Sequence, residues 1–184
     1  MKRLFLYLIS LAPLVYLLTK LFIIDDVNDP IKYIYTITGA AATVIVFFSI
    51  IISLIKDKIN LMKYRKEIGL LGFFYTLLHL LNFIILDAQF DFNFVIKETL
   101  DKPFIYLGMI AFFIILFMAI TSTKKLYKKY NRYHKLVYLS LILITIHWIM
   151  AQKAINILQF TYILAILVIG YYKLFQQIIN ATRS

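Results

Sequence analysis

The chain has 184 residues, of which 62% are hydrophobic and 16% are charged, and its mean hydropathy is +0.85. Soluble domains are roughly 45–50% apolar and ~25% charged, so this composition excludes a soluble catalytic domain. The sequence contains no Cys, which excludes disulfides, thiolate metal sites and cysteine nucleophiles. The net charge of +11 is concentrated in short loops between apolar stretches, which indicates membrane topology rather than nucleic-acid binding.

Six apolar stretches, each close to the length needed to cross a ~30 Å hydrocarbon core, follow one another along the chain. We therefore predict an all-α fold, a polytopic six-transmembrane-helix bundle. The predicted spans are 5–24, 31–55, 68–86, 103–120, 136–151 and 155–174. The first resembles a signal peptide in its basic start, but its apolar part exceeds the usual length of roughly 7–15 residues, so we interpret it as a retained span. Small residues in the run ITGAAATVIV of the second span allow close helix approach.

The distribution of basic residues predicts the orientation. Of the 20 Lys and Arg residues, fifteen fall on one side of the predicted bundle, at the N-terminus, in the second and fourth loops and in the C-terminal tail. Since Lys and Arg are retained on the cytoplasmic side, both termini are predicted to be cytoplasmic. The longest outer loop, AQFDFNFVIKETLDK, mixes aromatic and acidic residues, which leaves open a place on the membrane surface or a partner-docking role.

Three histidines carry the strongest chemical signal: His79 in the third predicted span, and His134 and His147 at the start and near the outer end of the fifth. The third and fifth spans run in the same direction. His79 lies seven residues before the outer end of its span and His147 four before the end of its own, a depth difference of about 5 Å at ~1.5 Å per residue. Two imidazoles at matched depth can ligate one haem iron from opposite faces, which suits outer-sphere electron transfer. Without Cys the haem cannot be covalently attached and would be b-type.

Other readings of these histidines stay open. An intramembrane histidine also serves as a hydrogen-bonding contact between helices. Zinc or copper is the alternative to haem iron as the metal that the histidines bind. His134 and His147 are 13 residues apart in the sequence, about 20 Å along a helix, so these two cannot share one ion.

Three stretches of the chain carry a series of motifs in a fixed order. The stretches are RKEIGLLGFFYTLLHLLNFIILD, DKPFIYLGMIAFFIILFMAITSTKKL and YHKLVYLSLILITIHW. The motifs are G-L-x-x-F-x-Y-x-x-x-H, K-P-[FY]-I-x-x-G, A-I-T-S and H-K-L-V-Y followed by H-x-x-x-x-x-K. They resemble the ferric-reductase-like transmembrane domain family and, within it, the haem-binding membrane subunits of periplasmic methionine sulfoxide reductase systems. The close resemblance covers residues 65–152, the core of a single domain that we assign to residues 1–184.

The resemblance implies which residues hold cofactors. In that superfamily two haems stack across the bilayer between histidine pairs on the third and fifth helices, which maps the outer pair to His79 and His147 and an inner ligand to His134. The partner position, 14 residues before His79, holds Arg65. A second bis-histidine haem is therefore excluded, and Arg65 is a candidate partner for a haem propionate or a flavin phosphate. One or two haems b, and FMN, remain open.

By the same resemblance the chain is an electron-transfer subunit of the bacterial inner membrane rather than a catalyst on its own. The acceptor it implies is a periplasmic molybdopterin-dependent methionine sulfoxide reductase, and the donor a cytoplasmic flavin reductase or quinol. The positive charge of the inner loops suits the binding of an acidic donor or a flavin phosphate. The same charge is equally explained by its role in setting membrane topology and by contacts with membrane lipid. Two alternatives stay open: a stand-alone haem ferric reductase component, and a haem-free membrane anchor for a partner.

Overall fold

The structure, a computed structural model, describes residues 2–24, 27–55, 61–152, 157 and 160–168, and all regular secondary structure within these ranges is helical. In chain order the long helices are α1 (Lys2–Thr19), α2 (Pro30–Leu54), α3 (Arg65–Leu81), α5 (Pro103–Ile120) and α7 (Leu136–Ala151), and the short helices α4 (Phe92–Asp101) and α6 (Lys124–Tyr130) lie in the loops. π-helical turns extend α1 over Lys20–Ile24 and α3 over Asn82–Asp87, and 3-10 turns over Met62–Tyr64 and Asn131–Lys135 precede α3 and α7. Residues 160–168 are also helical.

Within the described residues, five helical segments are long and apolar enough to cross a membrane: Arg3–Ile24, Pro30–Leu54, Met62–Asp87, Pro103–Ile120 and Lys124–Ala151. The chain is thus a multi-pass membrane protein. The predicted spans 103–120 and 136–151 coincide with α5 and α7, and the second differs from α2 by one residue at each end. The third helix begins at Arg65, three residues before the predicted 68, because the 3-10 turn before it already brings the backbone into a helical path. Most of the sixth predicted span, 155–174, lies outside the described residues.

Four of the long helices form a ring. Helix α2 packs against α3 and α7, and α5 packs against α3 and α7. Helices α3 and α7 therefore occupy opposite corners of the bundle and face each other across its interior. Side chains that point inward from α3 and from α7 therefore enter the same central space, which is where helix bundles hold their cofactors.

Small residues make the α2–α3 contact close. A Cβ built on Gly72 would stand 3.0 Å from Cγ2 of Val46 on α2, so only a glycine fits there without a shift. Next to it Ala41 and Ala42 of α2 pack on Tyr75 of α3, which is fully buried. In the other half of the bundle α2, α5 and α7 share an aliphatic core made of Val46, Ile50, Ile115, Val137 and Leu141.

Two polar contacts attach α1 to α3. The hydroxyl of Tyr75 donates to the carbonyl oxygen of Ser10 at 2.7 Å. The guanidinium of Arg3 lies 3.5 Å from a carboxylate oxygen of Glu67. Since both Arg3 and Glu67 lie at the N-terminal ends of their helices, α1 and α3 begin on the same side of the bundle, and that side carries the basic residues around the start of α3.

The opposite side is closed by a strained turn and α4. Gln89 and Phe90 have φ values of 48° and 64°, in the left-handed region that non-glycine residues rarely adopt. Asp91 follows this turn and is the N-cap of α4, since its carboxylate accepts hydrogen bonds from the backbone N–H groups of Asn93 and Phe94. Pro103 then occupies the first turn of α5, where its missing N–H costs nothing. The turn, α4 and Pro103 thereby connect the end of α3 to the start of α5.

Candidate functional site: a histidine pair across the bundle

His79 of α3 and His147 of α7 meet in the centre of the helix ring. Their ring centroids are 6.2 Å apart and their planes are nearly perpendicular, at 87°. Both side chains are partly buried. The matched depths that the sequence predicted for these residues therefore correspond to two imidazoles that face each other between opposite corners of the bundle.

On the α7 side, the ring of His147 is held by the first turn of α5. Its Nδ1 lies 2.6 Å from the carbonyl oxygen of Phe104. A carbonyl oxygen only accepts, so Nδ1 carries the proton and Nε2 is the unprotonated nitrogen. Gly108, one turn further along α5, gives the ring its room: a Cβ there would stand 2.9 Å from Nδ1 of His147.

On the α3 side, the ring of His79 is held by α2 in a similar way. Its Nδ1 lies 3.3 Å from Oγ1 of Thr38, and the ring of Tyr35 contacts it edge-on with centroids 5.3 Å apart. Gly39 supplies the space, because a Cβ there would stand 3.0 Å from Cε1 and 3.1 Å from Nδ1 of His79. Each histidine therefore rests on a glycine of the neighbouring helix, with its Nδ1 next to an oxygen atom of that helix.

These residues fit a metal held between two imidazoles. An imidazole nitrogen binds a metal at about 2 Å and its ring centre lies about 1 Å further away, so two imidazoles on opposite sides of one ion have centroids roughly 6 Å apart. The observed separation is 6.2 Å. An Nδ1–H bonded to an oxygen atom is also the usual arrangement of a metal-ligating histidine, whose other nitrogen carries the free lone pair. The pair thus has the centroid spacing and the helix arrangement that fit a haem between two histidines, and the tautomer of His147 leaves Nε2 for the iron.

His134 occupies a different environment at the other end of the bundle. It lies in the 3-10 turn before α7, and its Nε2 is 3.0 Å from Oγ1 of Thr121. The Thr121 hydroxyl lies 2.7 Å from the carbonyl oxygen of Phe117, which takes its proton, so the hydroxyl oxygen accepts from Nε2 of His134. The free lone pair of His134 is therefore on Nδ1, whereas that of His147 is on Nε2.

A cavity of about 330 Å³ opens beside His134. Its lining includes Arg65, Lys66 and Lys124, together with Tyr127, whose ring centroid is 4.9 Å from that of His134. Of the described residues that line the cavity, none is acidic. The structure thus places Arg65 and His134 at one cavity, as their positions in the sequence suggested, and the electrostatics of that cavity favour an anionic group.

The remaining site residues carried weak sequence signals or none. Thr38 and Gly39 are the polar and small residues of ITGAAATVIV, which the sequence indicates only as a packing run. Phe104 contributes a backbone carbonyl oxygen, which no residue type reveals. Within the described residues, no three His, Asp or Glu side chains come together as ligands for a free metal ion.

A ring of apolar helices with a facing histidine pair on opposite corners is characteristic of membrane haem proteins of the ferric-reductase type. Residues 56–145 match the family described as the ferric reductase like transmembrane component. No solved structure matches the chain.

The relatives define the family more narrowly. The chain is 30% identical over 152 residues to the protein-methionine-sulfoxide reductase heme-binding subunit MsrQ of Agrobacterium fabrum, a match that covers 79% of this chain and 71% of that protein. It is also 30% identical over 132 residues to the MsrQ subunit of Brucella ovis, covering 68% of this chain and 60% of that protein. The chain belongs to the MsrQ family, and the family membership predicted from its motifs is confirmed.

Proposed function

We propose that the chain is the haem b subunit that carries electrons across the bacterial inner membrane to a periplasmic methionine sulfoxide reductase. The observation that carries the proposal is the histidine pair: the ring centroids of His79 and His147 are 6.2 Å apart, and Nδ1 of each ring lies next to an oxygen atom of a neighbouring helix. The names of the relatives support the same reading, since they describe a heme-binding subunit of a methionine sulfoxide reductase.

His79 and His147 are the residues that would hold the haem iron, through one ring nitrogen each. A haem with both axial positions filled supplies a one-electron ferric/ferrous couple and leaves no site for oxygen or substrate. The protein's own contribution is to hold both imidazoles in the right tautomer and at one depth, and to surround them with apolar helices. Burial of this kind, together with hydrogen bonds to the ligands, tunes the reduction potential.

The inner cavity is the proposed entry point for electrons. Arg65, Lys66 and Lys124 fit a phosphate group, and Tyr127 offers an aromatic face, a combination suited to FMN or to the flavin of a cytoplasmic reductase. A second haem ligated by Nε2 of His134 is less favoured, because Thr121 already accepts a hydrogen bond from that nitrogen. We therefore propose one haem b at the outer level and an anionic donor site at the inner level.

The topology of the proposal follows from charge. The ends of α1 and α3 that carry Arg3 and Arg65 face the cytoplasm, where the donor is located. The histidine pair then lies towards the periplasmic side, within reach of an exported molybdopterin-dependent reductase. On this proposal electrons would enter at the inner cavity and would leave from the level of His79 and His147.

The transfer itself can be tested with purified components. The haem-loaded protein is reduced anaerobically, freed of reductant, and mixed with the periplasmic reductase and methionine sulfoxide while its ferrous absorption bands are followed. The proposal predicts that the bands disappear only when reductase and sulfoxide are both present. Ferrous bands that persist in the complete mixture would contradict it, and rapid loss with ferric citrate alone would favour the stand-alone ferric reductase.

A further inference from the structure

Thr38 is a buried hydroxyl whose role the proposed function does not yet use. It lies on α2 with 1% of its surface exposed, in the middle of an apolar span, and its Oγ1 is 3.3 Å from Nδ1 of His79. Polar groups buried at this depth are retained where they make hydrogen bonds with a specific partner. The partner here is one of the two histidines that face each other across the bundle.

The direction of the hydrogen bond follows from the other partners of Thr38. Its Oγ1 lies 2.6 Å from the carbonyl oxygen of Ile34, one turn earlier in α2. That carbonyl oxygen only accepts, so the hydroxyl proton of Thr38 is directed to it and the hydroxyl oxygen is left as an acceptor. The Nδ1–H of His79 therefore donates to Thr38, and the lone pair of His79 is on Nε2.

The two histidines differ in how their tautomers are held. For His147 the acceptor is the backbone carbonyl of Phe104, which no substitution of a side chain removes. For His79 the side-chain hydroxyl of Thr38 is an acceptor that a substitution can remove, and the backbone carbonyl of Tyr35 also interacts with the ring. An acceptor on Nδ1–H makes the imidazole more basic, and a more basic axial ligand stabilises ferric over ferrous iron and lowers the reduction potential.

We propose that Thr38 is a positioning residue that holds His79 with Nε2 towards the centre of the bundle and lowers the reduction potential of the haem bound there. The proposal rests on the proposed function, because it requires a haem between His79 and His147. It assigns to one hydroxyl oxygen a role in setting the driving force for electron transfer, separate from the binding of the macrocycle itself.

The test compares variants that differ at a single atom or group. Thr38→Val replaces the hydroxyl by a methyl group of similar size, Thr38→Ala removes it, and Thr38→Ser keeps it. Thr43→Val is the matched control, since Thr43 lies on the same helix and its hydroxyl donates to the carbonyl oxygen of Gly39 rather than bonding to His79. Haem content and midpoint potential are measured for each purified variant by spectroelectrochemical titration.

We expect Thr38→Val and Thr38→Ala to raise the midpoint potential or to lose haem, with an affinity loss of about 10- to 100-fold, while Thr38→Ser and Thr43→Val match the wild type. Equal potentials and haem contents for Thr38→Ala and Thr38→Ser would overturn the role of Thr38 while leaving the haem itself in place. A wild-type protein without haem would overturn the proposed function as well, so the two failures are distinguishable.

Discussion

Gly108 lies so close to the ring of His147 that a Cβ at this position would stand 2.9 Å from Nδ1, nearer than such atoms approach in proteins. The glycine thus allows α5 to approach α7 and to offer the Phe104 carbonyl oxygen to the same nitrogen. On the opposite corner of the bundle, Gly39 does the same for His79. At the point of closest approach, each histidine ring therefore packs against a glycine of the neighbouring helix.

Gly108→Ala is expected to displace the ring of His147 and to weaken its hydrogen bond to Phe104. Overpacking of this kind costs about 1–3 kcal/mol, and a displaced ligand converts low-spin haem partly to high-spin or loses it. Optical spectra of the purified variant measure both effects. Gly69→Ala is the control, because a Cβ at Gly69 would meet nothing within 4 Å. A Gly108→Ala protein with wild-type low-spin bands would show that the close approach has no role in ligation.

The perpendicular planes of His79 and His147, at 87°, predict a spectroscopic signature. Ferric low-spin haem with perpendicular axial imidazoles gives a strongly anisotropic EPR signal, whereas parallel imidazoles give a rhombic one. We expect the strongly anisotropic signal from the oxidised wild-type protein at low temperature. A purely rhombic low-spin spectrum would contradict the ring orientation.

Arg65→Gln is expected to weaken binding of FMN at the inner cavity without affecting the outer haem. Loss of a hydrogen bond from a charged group costs about 1.5–3 kcal/mol, which corresponds to roughly a 10- to 100-fold increase in Kd. Quenching of flavin fluorescence during titration measures the affinity. Lys63→Gln serves as control, since Lys63 lies over the ring of Tyr64 and does not line the cavity. Equal losses in the two variants would indicate general charge attraction and argue against a site at Arg65.

Tyr75→Phe tests the attachment of α1. The hydroxyl of Tyr75 is buried and donates to Ser10 on α1, so its removal is expected to destabilise the protein by about 0.5–1.5 kcal/mol. Unfolding in detergent, followed by circular dichroism, measures the change. Tyr106→Phe is the control because Tyr106 is half exposed. Identical unfolding of the two variants would show that the Tyr75 bond contributes nothing.

The sequence predicted the parts of this protein that depend on apolar length and on residue type. Spans 103–120 and 136–151 coincide with helices because Pro103 and the basic loop before Leu136 mark clear starts. The comparison of depths predicted that His79 and His147 lie at one level, because two spans that run in the same direction through a bundle can be compared residue by residue. Arg65 and His134 were placed at one level by the spacing of the family motifs.

Other features could not be predicted because they arise only from packing. The hydrogen bond to His147 comes from a backbone carbonyl, and the role of Thr38 depends on which helix lies beside α3. Helix α4 is short, and its start depends on the left-handed turn at Gln89 and Phe90, two residue types that give no signal for such a conformation. The tautomer of His134 likewise follows from Thr121, which is 13 residues away in the sequence.

The central claim, one haem b between His79 and His147, is tested most directly by the haem content per chain of the purified wild type and of His79→Ala, His147→Ala and His134→Ala. We predict one low-spin haem in the wild type and in His134→Ala, and none in the other two variants. Full low-spin haem in His79→Ala or His147→Ala, or its loss in His134→Ala alone, would contradict the account.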